Sequence, residues 1–406
     1  MPSDRMCVVS RYRLVPTPTQ LPGLVEHCRH ARYVWNLGLE QRLMWRPDRP
    51  GTPGYAAQSA QLTEARAAEH WLRNGSQTVQ QQALRDLDQA WHSFFAGTHG
   101  RPTWRREGVH EGFRIVGPQA QRMERLNRKW GRVLVPKVGW VKFRLTRKLP
   151  EAKSYRVTRD RAGRWHVAFA VIPEPIPAPR NGAVAGVDRG VTVSAALSTG
   201  ELLSCPGLSA QEQRRIKNLQ RKLARAKPGS NRRGKIRAAI ARVKARETDR
   251  RKNWIEYTST DLARRFDVIG VEDLRIRNLT KSARRTGKAP GRNVRQKAGL
   301  NRAILAQGWG KLVERLEHKA PGRVEKVHPA YTSQTCSACG HIASENRENQ
   351  AVFRCVACRY EANADVNAAV NIARSTAAGR AVNARGETAV LVSGKREPQH
   401  APPRVA

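Results

Sequence analysis

Acidic residues are scarce in this chain of 406 residues. Thirty-three Asp and Glu stand against 75 Lys and Arg, which gives a formal net charge of +42. Long apolar runs are also missing, because no stretch approaches the roughly 20 residues that a membrane-spanning helix needs. The start MPSDRMCVVS (1–10) lacks the apolar segment of an export signal. These absences argue against a membrane partner. The basic excess favours nucleic acid, since it releases counterions from phosphates and speeds the encounter with a polyanion.

Cysteine is rare, and its distribution is uneven. Of seven cysteines, Cys7, Cys28 and Cys205 are scattered, and the other four form two Cys-x-x-Cys pairs. Without an export signal we expect no disulfides and a reducing, cytoplasmic location. The length allows two or three domains with proper cores. No solenoid-type repeat is visible.

The paired cysteines give the most specific local signal. Cys336 and Cys339 are separated from Cys355 and Cys358 by fifteen residues, a spacing typical of two knuckles that close on one tetrahedral zinc. Gly340 suits the tight turn in which backbone amides face the sulfurs. A dithiol redox pair is the alternative, but two pairs this close fit a thiolate tetrad better. Four thiolates leave no open position for a substrate, so we predict a structural zinc.

Three carboxylates form the candidate catalytic site. Asp188 and Glu272 each end an apolar strand-like run, and Asp365 opens a helical pattern. Singly, each has an ordinary alternative: a turn former, a surface charge or a helix N-cap. Together, with no counter-charge, they would repel one another, and magnesium is the usual remedy. Two magnesium ions roughly 4 Å apart can activate water and stabilise the leaving oxygen of a phosphodiester, which predicts a nuclease. His328 is a further candidate ligand or general acid, although its place before Pro329 favours a local hydrogen bond.

The first 179 residues pass from helical to strand-like patterns. Apolar spacing predicts helices over 21–43 and from Ala56 to Phe95, with a break at Asn74-Gly75. We assign three tryptophans there to core packing, with base stacking as the alternative: Trp35, Trp71 and Trp91. Alternation predicts strands in 132–145 and 154–172, and a stiff linker, PEPIPAP (173–179), follows.

The remainder alternates strands and helices around a basic hairpin. Ser209 to Glu212 has capping-box spacing, and the segment 214–252 carries seventeen basic residues and two acidic ones. A solvated hairpin is the alternative, but so one-sided a charge favours a nucleic-acid-facing surface. We also predict one amphipathic helix over 299–320, a strand over 323–329, a basic loop over 282–296 and disorder beyond Ser375.

Several motifs together are similar to one family. GVDRGV, IGVEDL, HPAYTSQTCSACG (328–340) and ADVNAAVNI (364–372) resemble TnpB, the OrfB-type protein of insertion sequences and a compact relative of type V CRISPR effectors. Further likeness lies in YRLVPTPTQ (12–20), ARYVWN (31–36), GRWHVAFAV and LNRAILAQGWGKLVERLEHKA. The resemblance covers roughly residues 8–375.

The resemblance implies an RNA-guided DNA endonuclease of a transposable element, with a mixed α/β fold. It implies magnesium as the catalytic metal, guide RNA and target DNA as partners, Asp188, Glu272 and Asp365 as the catalytic triad, and the four cysteines as zinc ligands. It also implies a domain organisation. A wedge β-barrel is formed by 1–20 and 100–178 and is interrupted by a helical recognition part over 21–99. A RuvC ribonuclease H-like domain over 180–374 follows, with a hairpin at 209–262 and a zinc-binding element at 330–362, and the chain ends in a disordered tail over 375–406.

The chain departs from the family's sequence pattern at one place, and two alternative functions remain open. Many members have Asp-Arg where this chain has Asn363-Ala364, although the catalytic Asp365 is retained. A guide-directed DNA-binding protein without cleavage would be expected to have lost carboxylates. A transposase acting on transposon ends would also use an acidic triad. The sequence does not specify the guide, the flanking DNA motif or the oligomeric state.

Overall fold

The computed structural model describes residues 8–44, 51–283 and 291–376. The chain forms two compact units: Met1–Pro173 with Arg215–Ala245, and Glu174–Arg214 with Arg246–Ala406. The predicted disordered tail lies outside the described residues from 377 onward, and so does part of the basic loop, 284–290. No helix within the described ranges is long and apolar enough to cross a membrane.

The first stretch of the first unit, up to Pro173, contains one antiparallel seven-stranded sheet and four α-helices within the described residues. Its strands are β1 (Val8–Val15), β2 (Gly112–Val116), β3 (Met123–Arg125), β4 (Trp130–Val135), β5 (Gly139–Arg144), β6 (Ser154–Arg159) and β7 (Trp165–Val171). Its helices are α1 (Leu21–Leu43), α2 (Tyr55–Ala68), α3 (His70–Asn74) and α4 (Gln77–Phe95). The strand order is β2-β6-β7-β1-β5-β4-β3. Strand β1 therefore pairs with strands that follow the helices, so the helical part interrupts the sheet in sequence.

Alternating burial along the strands builds the core of this unit. In β4, for example, Val133 and Val135 are fully buried while their neighbours are partly exposed, as expected for a strand with one core face. Trp35 and Trp91 are buried, which confirms core packing for them. For Trp71 that prediction is wrong. It is 40% exposed, and its indole N–H donates to a carboxylate oxygen of Glu26 at 2.7 Å.

The second unit is built on a mixed five-stranded sheet. Its strands are β8 (Val184–Asp188), β9 (Ala195–Leu197), β10 (Leu202–Leu203), β11 (Val268–Glu272) and β12 (Val324–Val327). The strand order is β10-β9-β8-β11-β12. Strands β8, β11 and β12 are parallel to one another, β9 is antiparallel to β8, and β10 is antiparallel to β9. A two-stranded sheet of β13 (Val352–Arg354) and β14 (Glu361–Asn363) follows. The remaining helices of the chain are α5 (Ala210–Arg225), α6 (Asn231–Arg265), α7 (Ile276–Leu279), α8 (Val294–Gln307), α9 (Trp309–Lys319) and α10 (Ala364–Ser375).

Two glycines allow α10 to lie directly on this sheet. Gly186 of β8 and Gly270 of β11 are register partners. A Cβ at Gly186 would lie 1.9 Å from the carbonyl oxygen of Ala369, and one at Gly270 would lie 2.7 Å from Thr376. Only a residue without a side chain permits this approach. The pair of glycines therefore fixes where the helix carrying Asp365 crosses the strands carrying Asp188 and Glu272.

The single helix predicted over 299–320 is in fact two helices. Gly308 separates α8 from α9 with a φ of 74°, a left-handed conformation that ends a helix and that glycine adopts without strain. The periodicity continued through the glycine, so the sequence pattern alone did not reveal the break. The capping box at the start of α5 is confirmed: the backbone N–H of Glu212 donates to Ser209 Oγ at 3.2 Å, and Ser209 N–H donates to Glu212 at 3.1 Å.

Candidate active site and zinc cluster

The four cysteines converge as the spacing predicts. All four sulfurs lie within 4.8 Å of one another. The Sγ atoms of Cys336 and Cys358 are 3.7 Å apart, and those of Cys339 and Cys355 are 3.6 Å apart. These separations exclude a disulfide, whose bond is about 2.05 Å. They match the edge of about 3.8 Å in a tetrahedron with Zn–S bonds of about 2.3 Å. The cluster has the geometry of a structural zinc site.

The two knuckles repeat one backbone pattern. Gly340 N–H donates to the carbonyl of Cys336 at 2.9 Å, and Arg359 N–H donates to the carbonyl of Cys355 at 3.0 Å. Both donors have positive φ, 79° and 63°. The backbone N–H of Cys358 faces the sulfur of Cys355 and lowers the pKa of that thiol to about 6. The second turn thus directs an amide toward sulfur and favours the thiolate that a metal requires, whereas in the first turn burial raises the pKa of Cys336.

The three carboxylates occupy one edge of the five-stranded sheet. Asp188 is the last residue of β8, and Glu272 is the last residue of the adjacent parallel strand β11. Parallel strands bring their carboxyl ends to the same edge. Asp365 lies in the first turn of α10, with its Oδ2 3.7 Å from the position of a Cβ on Gly190, two residues after Asp188. Residues from three distant segments therefore meet at this carboxylate edge.

The carboxylates are less tightly gathered than the cysteines. Among the residues that the structure describes, the cysteines are the one group of three or more His, Cys, Asp or Glu side chains close enough to share a metal. The carboxylates nevertheless influence one another. Burial, then Glu272, then Asp365 raise the pKa of Asp188 to about 7. Burial also raises the pKa of Asp365. Ionising the carboxylates at this edge is therefore less favourable than ionising them in water.

The expectation of three acids without counter-charge is wrong in part. An Nη of Arg347 lies 3.2 Å from Asp365 Oδ1, and its charge opposes the rise in the pKa of both Asp365 and Asp188. Arg189 is buried and donates to the backbone carbonyl of Glu272. Neither arginine was named as a candidate from the sequence. Arg347, for example, lies 18 residues before its partner, in the segment that carries the cysteines.

Amide side chains join the zinc-binding segment to α10. Asn371 donates to the carbonyls of Thr332 at 2.9 Å and Thr335 at 2.7 Å. Asn367 donates to Thr335 at 2.8 Å and accepts from the backbone of Ser337 at 2.9 Å. The hydroxyl of Thr332 lies 2.7 Å from Glu272 Oε1. The asparagines of the ADVNAAVNI motif thus dock the cysteine segment beside the carboxylates.

The start of α10 shows that Asp365 is not the N-cap of this helix. The N-cap of this helix is Asn363, whose side chain accepts from the backbone of Asp365 at 3.0 Å and Val366 at 3.2 Å. Asp365 is therefore not the capping residue and its carboxylate is directed elsewhere. Asn and Asp cap equally well, so Asn363 preserves this helix start.

The loop after Asp188 is held from both sides of the break at Gly308. Gln307 donates to the carbonyl of Val191 at 2.5 Å, and the indole of Trp309 donates to the carbonyl of Gly190 at 3.2 Å. Gly308 lies between the two donors, and its left-handed conformation ends α8 and begins α9 at that point. His328 is exposed, and its Nδ1 accepts from Ala330 N–H at 3.2 Å, which confirms the local hydrogen bond predicted for it.

Three family models match the chain. They are described as "Probable transposase" (residues 166–283), "Cas12f1-like, TNB domain" (309–372) and "Helix-turn-helix domain" (9–47). In the part of the last range that the structure describes, one strand and one helix are present. The match over 309–372 spans the cysteine cluster and Asp365.

Two curated proteins are similar over most of their length. One is named "Putative RNA-guided DNA endonuclease InsQ", from Escherichia coli (strain K12): it is 36% identical over 335 residues, 81% of each chain. The other is named "Putative RNA-guided DNA endonuclease", from Streptomyces pristinaespiralis: it is 32% identical over 93% of this chain and 90% of that protein.

A solved structure shares the fold. It is a cryo-EM structure of a Cas12f1–sgRNA–target DNA complex, with a TM-score of 0.52 and 14% identity over 87% of this chain and 82% of that one. This likeness concerns architecture. The sequence relatives carry the family assignment: the chain belongs to the OrfB/IS605 transposase family, and within it to the TnpB-like proteins that include InsQ.

Proposed function

We propose that the chain is an RNA-guided DNA endonuclease of an IS605-type transposable element. The observation that carries this is the joint presence, in one family member, of a carboxylate edge, an adjacent thiolate cluster and a net charge of +42. The relatives named as RNA-guided DNA endonucleases align with 81% and 93% of the chain. A basic surface of this strength suits the backbones of a guide RNA and a target DNA.

The proposed RuvC nuclease domain covers 180–374, and its five-stranded sheet lies in the second unit. A mixed sheet with an acid ending its first strand, and another ending the parallel strand beside it, supports a ribonuclease H-like assignment. The basic hairpin (209–262) and the zinc-binding element (330–362) are its proposed insertions. In the first unit, β1 pairs with strands from beyond the helices. This supports a wedge barrel formed by 1–20 and 100–178 and interrupted by a recognition part at 21–99.

Magnesium fits the carboxylate edge. Its donors would be carboxylate oxygens, the ligand type that magnesium prefers, and the raised pKa of Asp188 shows charge crowding that a cation relieves. Asp188, Glu272 and Asp365 would hold the metal. When bound, a pair of magnesium ions supplies an activated water and stabilises the leaving oxygen in phosphodiester hydrolysis.

The chain's own residues orient this site. Thr332 fixes one oxygen of Glu272, and Arg189 holds the backbone at the same residue. Arg347 restrains Asp365, and its planar guanidinium also suits a phosphate oxygen of a DNA strand lying along the edge. The zinc cluster would act at a distance, because it fixes the segment from which Thr332 and Arg347 project.

A transposase acting on transposon ends is the second candidate, because one matching family model is described as a transposase. Such an enzyme would join strands rather than only cut them. A strand-transfer assay with transposon-end DNA separates the two functions: joined products would favour the transposase.

The deciding experiment changes the guide. The protein is purified with its RNA, the guide segment is replaced, and double-strand breaks are mapped on plasmids carrying either target beside the same flanking motif. Breaks should move to the newly matched target, because base pairing supplies the sequence choice. The protein with Asp188→Ala is the matched control and should bind without cutting. Breaks that ignore the exchange, or that form equally without RNA, would contradict guidance.

A further inference from the structure

Tyr331 has an unusual backbone conformation beside the carboxylate edge. Its φ is 62°, in the left-handed region that side-chain-bearing residues other than Asn and Asp seldom enter. A bulky aromatic residue is strained there, and such strain persists only where the surroundings impose it. Glycine would adopt this conformation freely. The question is what the chain gains from a tyrosine at this position.

The turn around Tyr331 is strongly fixed. Its carbonyl accepts from the backbone N–H groups of Gln334 and Thr335, each at 2.9 Å, and from the hydroxyl of Thr335 at 2.8 Å. The next residue, Thr332, is buried and its carbonyl accepts from Asn371 at 2.9 Å. The strained conformation is therefore imposed from both sides, and it fixes the direction of the Cα–Cβ bond of Tyr331.

The ring itself is not used within the described part of the chain. Tyr331 is 61% exposed, and neither a hydrogen bond of its hydroxyl nor a contact of its ring with another aromatic group is found among the described residues. Core packing therefore does not explain the tyrosine. An exposed aromatic ring on a fixed backbone is a feature with which proteins bind unpaired bases, because every base offers a face for stacking.

The surroundings suit nucleic acid. Thr332, next in the chain, contacts Glu272 at 2.7 Å, so Tyr331 adjoins the carboxylate edge. A cavity of about 380 Å³ opens on the same turn, with Ala330 and Thr332 in its lining. Two further lining residues are His328, whose Nδ1 accepts from Ala330, and Arg374, which donates one N–H to the carbonyl of Ser337 and brings a positive charge to the cavity. No acidic side chain lines this cavity.

We propose that Tyr331 is a stacking residue that holds one unpaired base of the DNA strand entering the carboxylate edge, with the adjoining phosphate toward His328 and Arg374. This rests on the proposed nuclease function and adds to it a subsite for single-stranded DNA. The fixed turn holds the backbone of Tyr331 directly beside Thr332, which contacts Glu272. Stacking there would therefore position the strand for cutting without reading its sequence.

The test separates the ring from the backbone. Tyr331→Gly removes the ring and also relieves the strained conformation, whereas Tyr331→Phe keeps the ring and removes only the hydroxyl. Tyr257, which is 75% exposed on α6 of the same unit, offers a control in Tyr257→Ala. Each full-length protein is prepared with its RNA. Three quantities are compared: the thermal unfolding temperature, the single-turnover cutting rate at saturating DNA, and quenching of 2-aminopurine placed stepwise along the DNA in magnesium-free buffer.

We expect Tyr331→Gly to unfold at the same or a higher temperature, to cut roughly tenfold more slowly and to lose the quenching at one position. Tyr331→Phe and Tyr257→Ala should behave like the wild type. Normal cutting and quenching by Tyr331→Gly would overturn the proposal, and so would a lower unfolding temperature that accounts for slower cutting. If the wild type quenches through Tyr331 but does not cut, the nuclease function fails while the stacking subsite stands.

Discussion

The cysteine cluster and the carboxylate edge lie close in the same unit but are built in opposite ways. The cysteines come from one segment of 23 residues, and their sulfurs already have tetrahedral spacing. The carboxylates come from segments that are 84 and 93 residues apart, and they repel one another. Burying like charges costs stability, whereas a metal-binding thiolate cluster contributes to folding. We therefore expect the cysteine cluster to stabilise the unit once it binds a metal, and the crowded carboxylates to destabilise it.

The largest predicted effect concerns the cysteines. Cys336→Ser should remove zinc, unfold the surrounding segment and abolish cutting, because zinc binding supplies on the order of 10 kcal/mol to small thiolate domains. Elemental analysis and limited proteolysis would measure this. Cys205→Ser is the matched control, since Cys205 lies outside the cluster, and it should retain zinc. A well-folded wild type that contains no zinc would refute the assignment.

At the carboxylate edge, removing a charge should stabilise the protein. The pKa of Asp188 is about 7 in the folded chain, against an ordinary value of 3.8. Ionisation therefore opposes folding: the penalty is absent below about pH 4, grows as the pH rises, and is complete above about pH 7. In magnesium-free buffer that leaves zinc in place, Asp188→Asn should add roughly 3 kcal/mol at pH 8 and little at pH 4.

Chemical denaturation at the two pH values checks this prediction. Asp273→Asn is the control, because Asp273 is an exposed neighbour and should change stability by less than about 0.5 kcal/mol. If Asp188→Asn is less stable than the wild type at pH 8, the carboxylates do not crowd one another as described.

A smaller effect is expected where the two sites are joined. Asn371→Ala would leave the carbonyl of Thr332 without its buried amide donor and would remove one of the two amide donors to the carbonyl of Thr335, which costs about 1–3 kcal/mol. Zinc should stay bound, while cutting slows because Thr332 no longer holds Glu272 in place. Gln350→Ala, at an exposed position of the zinc-binding element, is the control. Equal cutting by both variants would show that this connection does not position the edge.

The contrast between the two sites also explains what the sequence could predict. The cysteine spacing is local, so the cluster followed from four residues and a glycine. Asp188 and Glu272 were recognisable because each ends an apolar strand. Arg347, Thr332 and Asn371 act through partners 18 to 60 residues away, and no local pattern marks such contacts.

The errors have a similar origin. The apolar periodicity over 299–320 concealed the left-handed conformation at Gly308, and with it the contacts of Gln307 and Trp309 to the loop after Asp188. Trp71 was predicted to be a core residue, but it is partly exposed and its indole N–H donates to Glu26. In both cases tertiary contacts decided what composition left open.

The most direct test of the account measures cutting and binding together for Asp188→Asn, Glu272→Gln and Asp365→Asn. Each variant, prepared with its RNA, is compared with the wild type for magnesium-dependent cleavage of matched DNA and for DNA affinity. The account predicts that cleavage falls by at least about a thousand-fold. DNA affinity should stay within roughly threefold, because basic residues elsewhere provide it. Near wild-type cleavage by any one variant would remove that residue from the site and contradict the claim that the carboxylate edge performs the hydrolysis.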